Sequence, residues 1–243
     1  MKIFTFLIAL LSAASVFADK VGLLIMATGK YTQFVGPLIS SARKHFCTHH
    51  TVTYFVFTDG EIPQAGDIVP IYQKRLGWPY DTMMRYHVYL KSKELLALQD
   101  YLFALDSDML FVDEVGDEIL GERVATQHPG FVSQRGSYER NPRSLAYVDP
   151  SEGQYYFAGG FYGGRAQEVL TILRTLSICI DEDLRQGIIA EWHDEAHWNR
   201  YCIDYPPTRI LNPSYCYPEE LELNYTKKLL ALCKNHNELR KEN

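Results

Sequence analysis

Apolar residues follow two alternating rhythms along this chain, and that alternation sets the architecture. Residues 21–27 (VGLLIMA) form a short unbroken apolar run, the pattern of a strand buried on both faces. Gly29 turns the chain out of it, and 31–46 then places Phe34, Leu38, Ala42 and Phe46 at helical spacing. Thr51–Thr58 (TVTYFVFT) is rich in β-branched and aromatic residues and stops at the turn pair Asp59-Gly60. A short strand over 67–72, a helix over 80–98 and a strand over 101–105 complete the first half. Strands alternating with helices predict an α/β fold with a mixed, largely parallel central sheet flanked by helices.

In open sheets of this kind, ligands bind beyond the carboxyl ends of the strands. Two such ends carry candidate chemistry, Ala27-Thr28-Gly29 and Asp106-Ser107-Asp108. Burying an unpaired carboxylate costs several kcal/mol or shifts its pKa. The usual offset is a hard divalent cation such as Mg²⁺ or Mn²⁺, which commonly also holds a substrate's phosphates. An isolated Asp-x-Asp is more often a polar turn; here its place after a β-like run and the segments downstream favour the metal. Gly29-Lys30 does not make a phosphate-binding loop of the NTPase kind, because Leu24 and Tyr31 stand where that motif needs Gly and Ser or Thr.

Length and composition narrow the picture further. With 243 residues the chain can form one substantial domain or two small ones, and no linker marks a second. A formal net charge of −6 argues against a nucleic-acid binder and suits a site that holds a cation. The five cysteines lack CxxC spacing and form neither a zinc framework nor a dense disulfide scaffold. Residues 1–18 have the Lys2 n-region, apolar core and small-residue cleavage site of a secretory signal, leaving 19–243 as a single domain. The expected location is therefore the secretory route (Golgi or ER lumen, periplasm, or secreted), with membrane attachment only if that segment stays as an anchor. Asn224-Tyr225-Thr226 is a glycosylation sequon.

Downstream, 155–164 (YYFAGGFYGG) is glycine-rich and aromatic; alone, it reads better as tight strand packing than as a ligand loop. Residues 192–197 (WHDEAH) put an indole, two imidazoles and two carboxylates close together, with His193 and His197 on one face if helical. Asp194 stands where a zinc protease needs Glu, so that reading is set aside. A Trp ring is a platform for the C–H face of a sugar, and carboxylates accept its hydroxyls and stabilise oxocarbenium charge. The basic tail 233–243 is by default a solvated terminus; the sharper reading folds it over a diphosphate.

Taken in order, ATGKY, the Phe-Thr-Asp strand end, WPYDTMMR, LDSDM, HPGF, SYER, EGQYYFAGGFYGG, EWHDEAHWNRY, PPTRILNPSY and KNHNELR resemble glycosyltransferase family 6. That family holds the histo-blood-group A and B transferases, the α-1,3-galactosyltransferases, and bacterial and phage relatives. The resemblance implies a GT-A fold and Mn²⁺-dependent transfer of GalNAc or Gal from a UDP-sugar to the 3-OH of a β-galactoside, with the α anomer retained. It assigns Met26, Ala27, Thr28 and Tyr31 to the uridine, and Asp106 and Asp108 to the metal. Arg85, His193 and Asp194 fall to the donor sugar, Ala158, Gly159 and Gly160 to donor choice, and Lys234, His236 and Arg240 to a tail closing on the pyrophosphate. His128, Ser137, Trp192 and Glu195 match acceptor-side positions. Glu195 is also the catalytic carboxylate, either attacking the anomeric carbon or stabilising an ion pair, between which the sequence does not choose. Small residues at 158–160 favour GalNAc over Gal. Tyr215-Cys216-Tyr217-Pro218 departs from the Trp-Asp of the vertebrate enzymes, which leaves the acceptor, and any fucose on it, open. The competing expectation is a catalytically inactive carbohydrate-binding protein on the same fold, which would need neither a closing tail nor leaving-group stabilisation.

Overall fold

The computed structural model describes residues 18–240. The expected leader over 1–18 thus lies outside the described residues, Ala18 excepted, as do 241–243 at the end of the tail. In chain order the elements are β1 (Lys20–Met26), a 3-10 turn (Gly29–Phe34), α1 (Val35–His45), β2 (Thr51–Thr58) and β3 (Ile68–Tyr72). Three short helices follow, α2 (Tyr80–Met83), α3 (Arg85–Leu90) and α4 (Lys93–Leu96), then β4 (Tyr101–Asp106), β5 (Met109–Phe111) and β6 (Arg123–Gln127). The remainder is β7 (Phe157–Arg165), α5 (Ala166–Arg185), α6 (His193–Asp204), β8 (Arg209–Leu211), β9 (Tyr217–Pro218), β10 (Leu229–Ala231) and α7 (His236–Arg240).

Seven strands form the central sheet in the order β3-β2-β1-β4-β7-β6-β8. The first four run parallel, β6 and β8 are parallel to each other, and β7 is antiparallel to both its neighbours. This is the mixed, mostly parallel α/β sheet expected, consistent with a GT-A fold. A small second sheet, β5-β10-β9, ties the C-terminal region to the chain just after Asp108.

The apolar run of β1 is unbroken because both faces of the sheet are covered. Val21, Leu23 and Ile25 pack with Val35, Leu38 and Ala42 of α1 on one side. Leu24 joins Leu102, Ala104 and the residues Tyr86, Tyr89, Val169 and Leu173 of α3 and α5 on the other. Half of the glycine-rich segment serves this packing: a Cβ at Gly163 would lie 2.3 Å from the carbonyl oxygen of Leu102, so β7 can approach β4 only with glycine there.

Two helices differ from expectation. The helix expected over 80–98 is three pieces, because Met84 and Ser92 leave helical geometry with ψ of 9° and 20°. Met83, Tyr86, Tyr89 and Leu96 nonetheless stay on one buried face, which is why the spacing read as one element. The helix over 31–46 begins as a tighter 3-10 turn and becomes α-helical only at Val35. Among the described residues no helix is long and apolar enough to cross a membrane, and all five cysteines are free.

Candidate active site

Three strand ends and one helix start build the site. β1 and β4 are parallel with Met26 opposite Asp106, so both deliver their following residues to the same edge. β7 is antiparallel and enters at that edge, which sets Ala158, Gly159 and Gly160 beside the carboxylates; a Cβ at Gly160 would lie 3.4 Å from Asp106 Oδ2. The first turn of α6 brings Asp194 and Glu195 to the other side of Gly159.

A cavity of about 200 Å³ opens here, lined by Met26, Thr28, Tyr31, Arg85, Asp106 and Asp108, and covered by Lys234, His236 and Arg240. Nine of the residues expected around the UDP-sugar donor thus meet, although the tail is remote from the others in sequence. Ala27 does not line it: it is fully buried in the core, with its N–H donated to the Phe57 carbonyl at 2.9 Å. The tail is latched at several points. Tyr31 Oη lies 3.4 Å from His236 Nδ1, Arg75 donates to the Arg240 carbonyl at 2.8 Å, and the Arg240 guanidinium sits 4.2 Å above the Trp78 ring. Sequence reading missed Arg75, Trp78 and Asp81, all of which line the cavity. Asp81 accepts from the N–H groups of Leu76 and Gly77 and so shapes the loop that presents Trp78. The available signal was the large indole of a Trp-Pro pair, which stands 42% exposed.

Charge at the site is arranged in pairs. Arg85 bridges Asp106 Oδ1 and Asp194 Oδ2, each at 2.9 Å, and donates to the Gly159 carbonyl at 3.3 Å. Burial works against its charge, but Asp194 and Asp106 outweigh it and hold the guanidinium firmly protonated. Burial, and after it the charge of Asp106, raise the Asp108 carboxyl above its ordinary value even though the Lys234 ammonium lies against it. Lys234 is in turn held above its ordinary value, Asp108 overcoming the opposing effect of burial.

The donor set fits a hard divalent cation. No cluster of three or more His, Cys, Asp or Glu suited to a metal occurs among the described residues. The protein would therefore supply the two carboxylates and leave the other positions to water and substrate phosphate, the usual mode for a small hard cation at a nucleotide. The Lys234 ammonium, docked on Asp108, is a positive group already standing at that carboxylate.

On the far side of Gly159 stands Glu195. Its Oε1 accepts from the Tyr156 hydroxyl at 2.8 Å and its Oε2 from the Gly159 N–H at 2.7 Å. Burial pushes its carboxyl up to about 7, against the pull of these two hydrogen bonds. Tyr156 is a fourth residue the sequence does not single out, since its aromatic neighbours make it look like core. Gly136 lies flat on its ring, where a Cβ would fall 2.1 Å from Cδ2. His128 packs 5.7 Å from the same ring and accepts the Gly130 N–H on Nδ1 at 3.1 Å, which leaves the proton on Nε2. Burial lowers its pKa to about 4, so it is neutral at pH 7. Trp192 Nε1 donates to Ser137 Oγ at 2.9 Å, and its ring is 47% exposed. His128, Ser137, Trp192 and Glu195 are thus linked around Tyr156 and the start of α6.

One expectation fails here. His193 and His197 do not share a face, because His193 has φ +53° and leaves the regular helix. Its ring stacks 4.2 Å from Trp78 beside the tail, whereas His197 is buried 3.5 Å from Asp183.

The arrangement pairs an anionic floor and a cationic lid with a separately held carboxylate, which suits departure of a diphosphate and stabilisation of the positive charge left behind. A sequence model of glycosyltransferase family 6 matches residues 4–241. Histo-blood group ABO system transferase 1 of Rattus norvegicus is 37% identical over 237 residues, covering 90% of this chain and 68% of that protein. Globoside alpha-1,3-N-acetylgalactosaminyltransferase 1 of Gallus gallus is 34% identical over 241 residues, with 90% and 69% covered. Alpha-1,3-galactosyltransferase 2 of Homo sapiens is 26% identical over 215 residues, with 83% and 63% covered.

Proposed function

The chain belongs to glycosyltransferase family 6, and on that footing we propose that it moves GalNAc, in preference to Gal, from a UDP-sugar to the 3-OH of a β-galactoside with retention of the α anomer. The observation that carries this reading is the meeting of Asp106 and Asp108 with Lys234 and Arg240 across one cavity, one residue away from the doubly hydrogen-bonded Glu195. Met26, Thr28 and Tyr31 form the uridine side. Asp106 and Asp108 would hold Mn²⁺, which supplies Lewis-acid neutralisation of the diphosphate. Lys234, His236 and Arg240 bring further positive charge to the leaving group. The Arg85–Asp194 pair and His193 position the donor sugar. Glu195 faces the developing positive charge at the anomeric carbon. His128 offers an Nε2–H donor, and Ser137 and Trp192 a hydroxyl and an apolar platform, to the galactoside.

Donor preference rests on two supports. Residues 158–160 are small, and a Cβ at Gly160 would meet Asp106, Cys216 and Met109 only at ordinary contact distances. The globoside N-acetylgalactosaminyltransferase is also more similar to this chain than the galactosyltransferase, at 34% against 26% identity. The test is radiolabel transfer from UDP-GalNAc, UDP-Gal, UDP-Glc and UDP-GlcNAc to lactose and 2′-fucosyllactose, with Mn²⁺ or chelator. GalNAc transfer that chelator abolishes is the expected result. Absence of both transfer and donor hydrolysis would overturn the reading in favour of an inactive sugar-binding protein. Gly160→Ala, which fits without a clash, is expected to shift the preference towards Gal.

A further inference from the structure

Beside the acceptor face lies a second groove of about 610 Å³, walled by residues 132–135 on one side and 150–154 on the other. Resting on the transferase reading above, we infer that this groove is an extended acceptor subsite, taking the sugars on the reducing side of the galactose in an oligosaccharide. Continuity comes first. Gln134 Nε2 donates to the Gly130 carbonyl at 2.8 Å, in the same turn whose Gly130 N–H is bonded by His128. The first wall then runs into Ser137, bonded to Trp192, and the second into Tyr156, bonded to Glu195. A glycan whose terminal galactose lies on those residues meets the groove with its next sugars.

The groove is also built in advance. Arg135 donates to the carbonyls of Asp149 and Glu152 at 3.1 and 3.4 Å, tying one wall to the other, and its guanidinium lies 4.7 Å from the centre of the Tyr138 ring. Arg200 takes the Glu152 carboxylate at 2.7 Å. Walls already fixed lose little conformational freedom on binding, which favours affinity. The chemistry matches a sugar, which has both C–H faces and hydroxyls. Val132 stands 39% exposed in the lining beside Ser133, and Tyr155, 40% exposed, follows the lining residue Gln154 in the chain. Of the charged side chains in the lining, Glu152 is paired with Arg200 and Arg135 is bonded to two carbonyls, so contact with sugar hydroxyls falls to Ser133, Gln134, Ser151 and Gln154.

The experiment compares methyl β-galactoside with a neutral tetrasaccharide ending in β-galactose, in the wild type, Gln154→Ala and Ser133→Trp. Both substituted residues are exposed, and thermal melts verify folding. The wild type is expected to use the tetrasaccharide with kcat/KM at least tenfold higher. Both variants should lose most of that advantage while keeping methyl galactoside turnover and donor hydrolysis. Saturation-transfer NMR with UDP and Mn²⁺ should show contact with the second and third sugars in the wild type and its loss in Ser133→Trp. Saturation confined to the terminal galactose overturns the subsite, as does equal use of the two acceptors. Failure of every galactoside as an acceptor overturns the transferase reading instead, and the NMR contact still decides the groove.

Discussion

At Glu195 burial and hydrogen bonding pull in opposite directions. Burial raises the carboxyl to about 7, while Tyr156 and Gly159 each donate to the ionised form. If ionised Glu195 is the working form, the turnover rate falls on the acid side with an apparent pKa near that value. Tyr156→Phe removes one stabilising donor, so the acid limb should move to higher pH while UDP affinity stays as it was. A pH–rate profile checks this, and an unmoved limb would mean that Tyr156 only packs. Stability carries the same signature. A carboxyl whose folded pKa exceeds its unfolded value stabilises the fold below about pH 4.5, and that contribution is lost as pH rises through about 7. Glu195→Gln should therefore be more stable than the wild type at pH 8 by roughly 1–3 kcal/mol, with the gain shrinking towards pH 5. The same variant is expected to lose at least about a hundredfold in transfer, the scale of removing a group that meets transition-state charge, and to keep UDP binding. Urea melts at the two pH values and a radiolabel assay read these outcomes.

Among the elements, the tail is the one whose behaviour the structure makes most testable. Lys234 rests on the Asp108 carboxylate, so a metal taking that carboxylate would have to displace it. Lys234→Met should bind Mn²⁺ more tightly without nucleotide, yet turn over more slowly because the leaving diphosphate loses a cation. Manganese titration followed by electron paramagnetic resonance reads the first effect; unchanged affinity would show that lysine and metal do not share the carboxylate. The elements differ in how legible they were from sequence. β1 and β4 are plain in the sequence, because burial on both faces leaves no polar interruption, and the Asp-x-Asp end of β4 stands out against that run, while β2 is marked by its β-branched and aromatic residues. The division of 80–98 was hidden, since Met83, Tyr86, Tyr89 and Leu96 keep their spacing while only the backbone at Met84 and Ser92 departs. Tyr156 was hidden differently: a functional phenol among buried aromatics has no mark of its own in one sequence. Trp78 depends on a stacking partner, Arg240, supplied from the far end of the chain.

For the whole molecule, the volume of the donor cavity matters most. About 200 Å³ is less than the 300–1,000 Å³ usual for small-molecule sites, which makes the tail resting on Tyr31, Arg75 and Trp78 the element to test for movement on ligand binding. Limited proteolysis should cut the ligand-free protein between residues 232 and 240, and UDP with Mn²⁺ should slow that cleavage several-fold. Equal rates would argue for a tail that never opens. The root of this segment is fixed where it matters: β10 pairs with β5, and the Leu232 N–H donates to the Asp108 carbonyl at 3.0 Å. The pivot is therefore bonded to the backbone of the same residue whose side chain the lysine covers. Any movement that takes the ammonium off that carboxylate therefore turns about the carboxylate's own backbone.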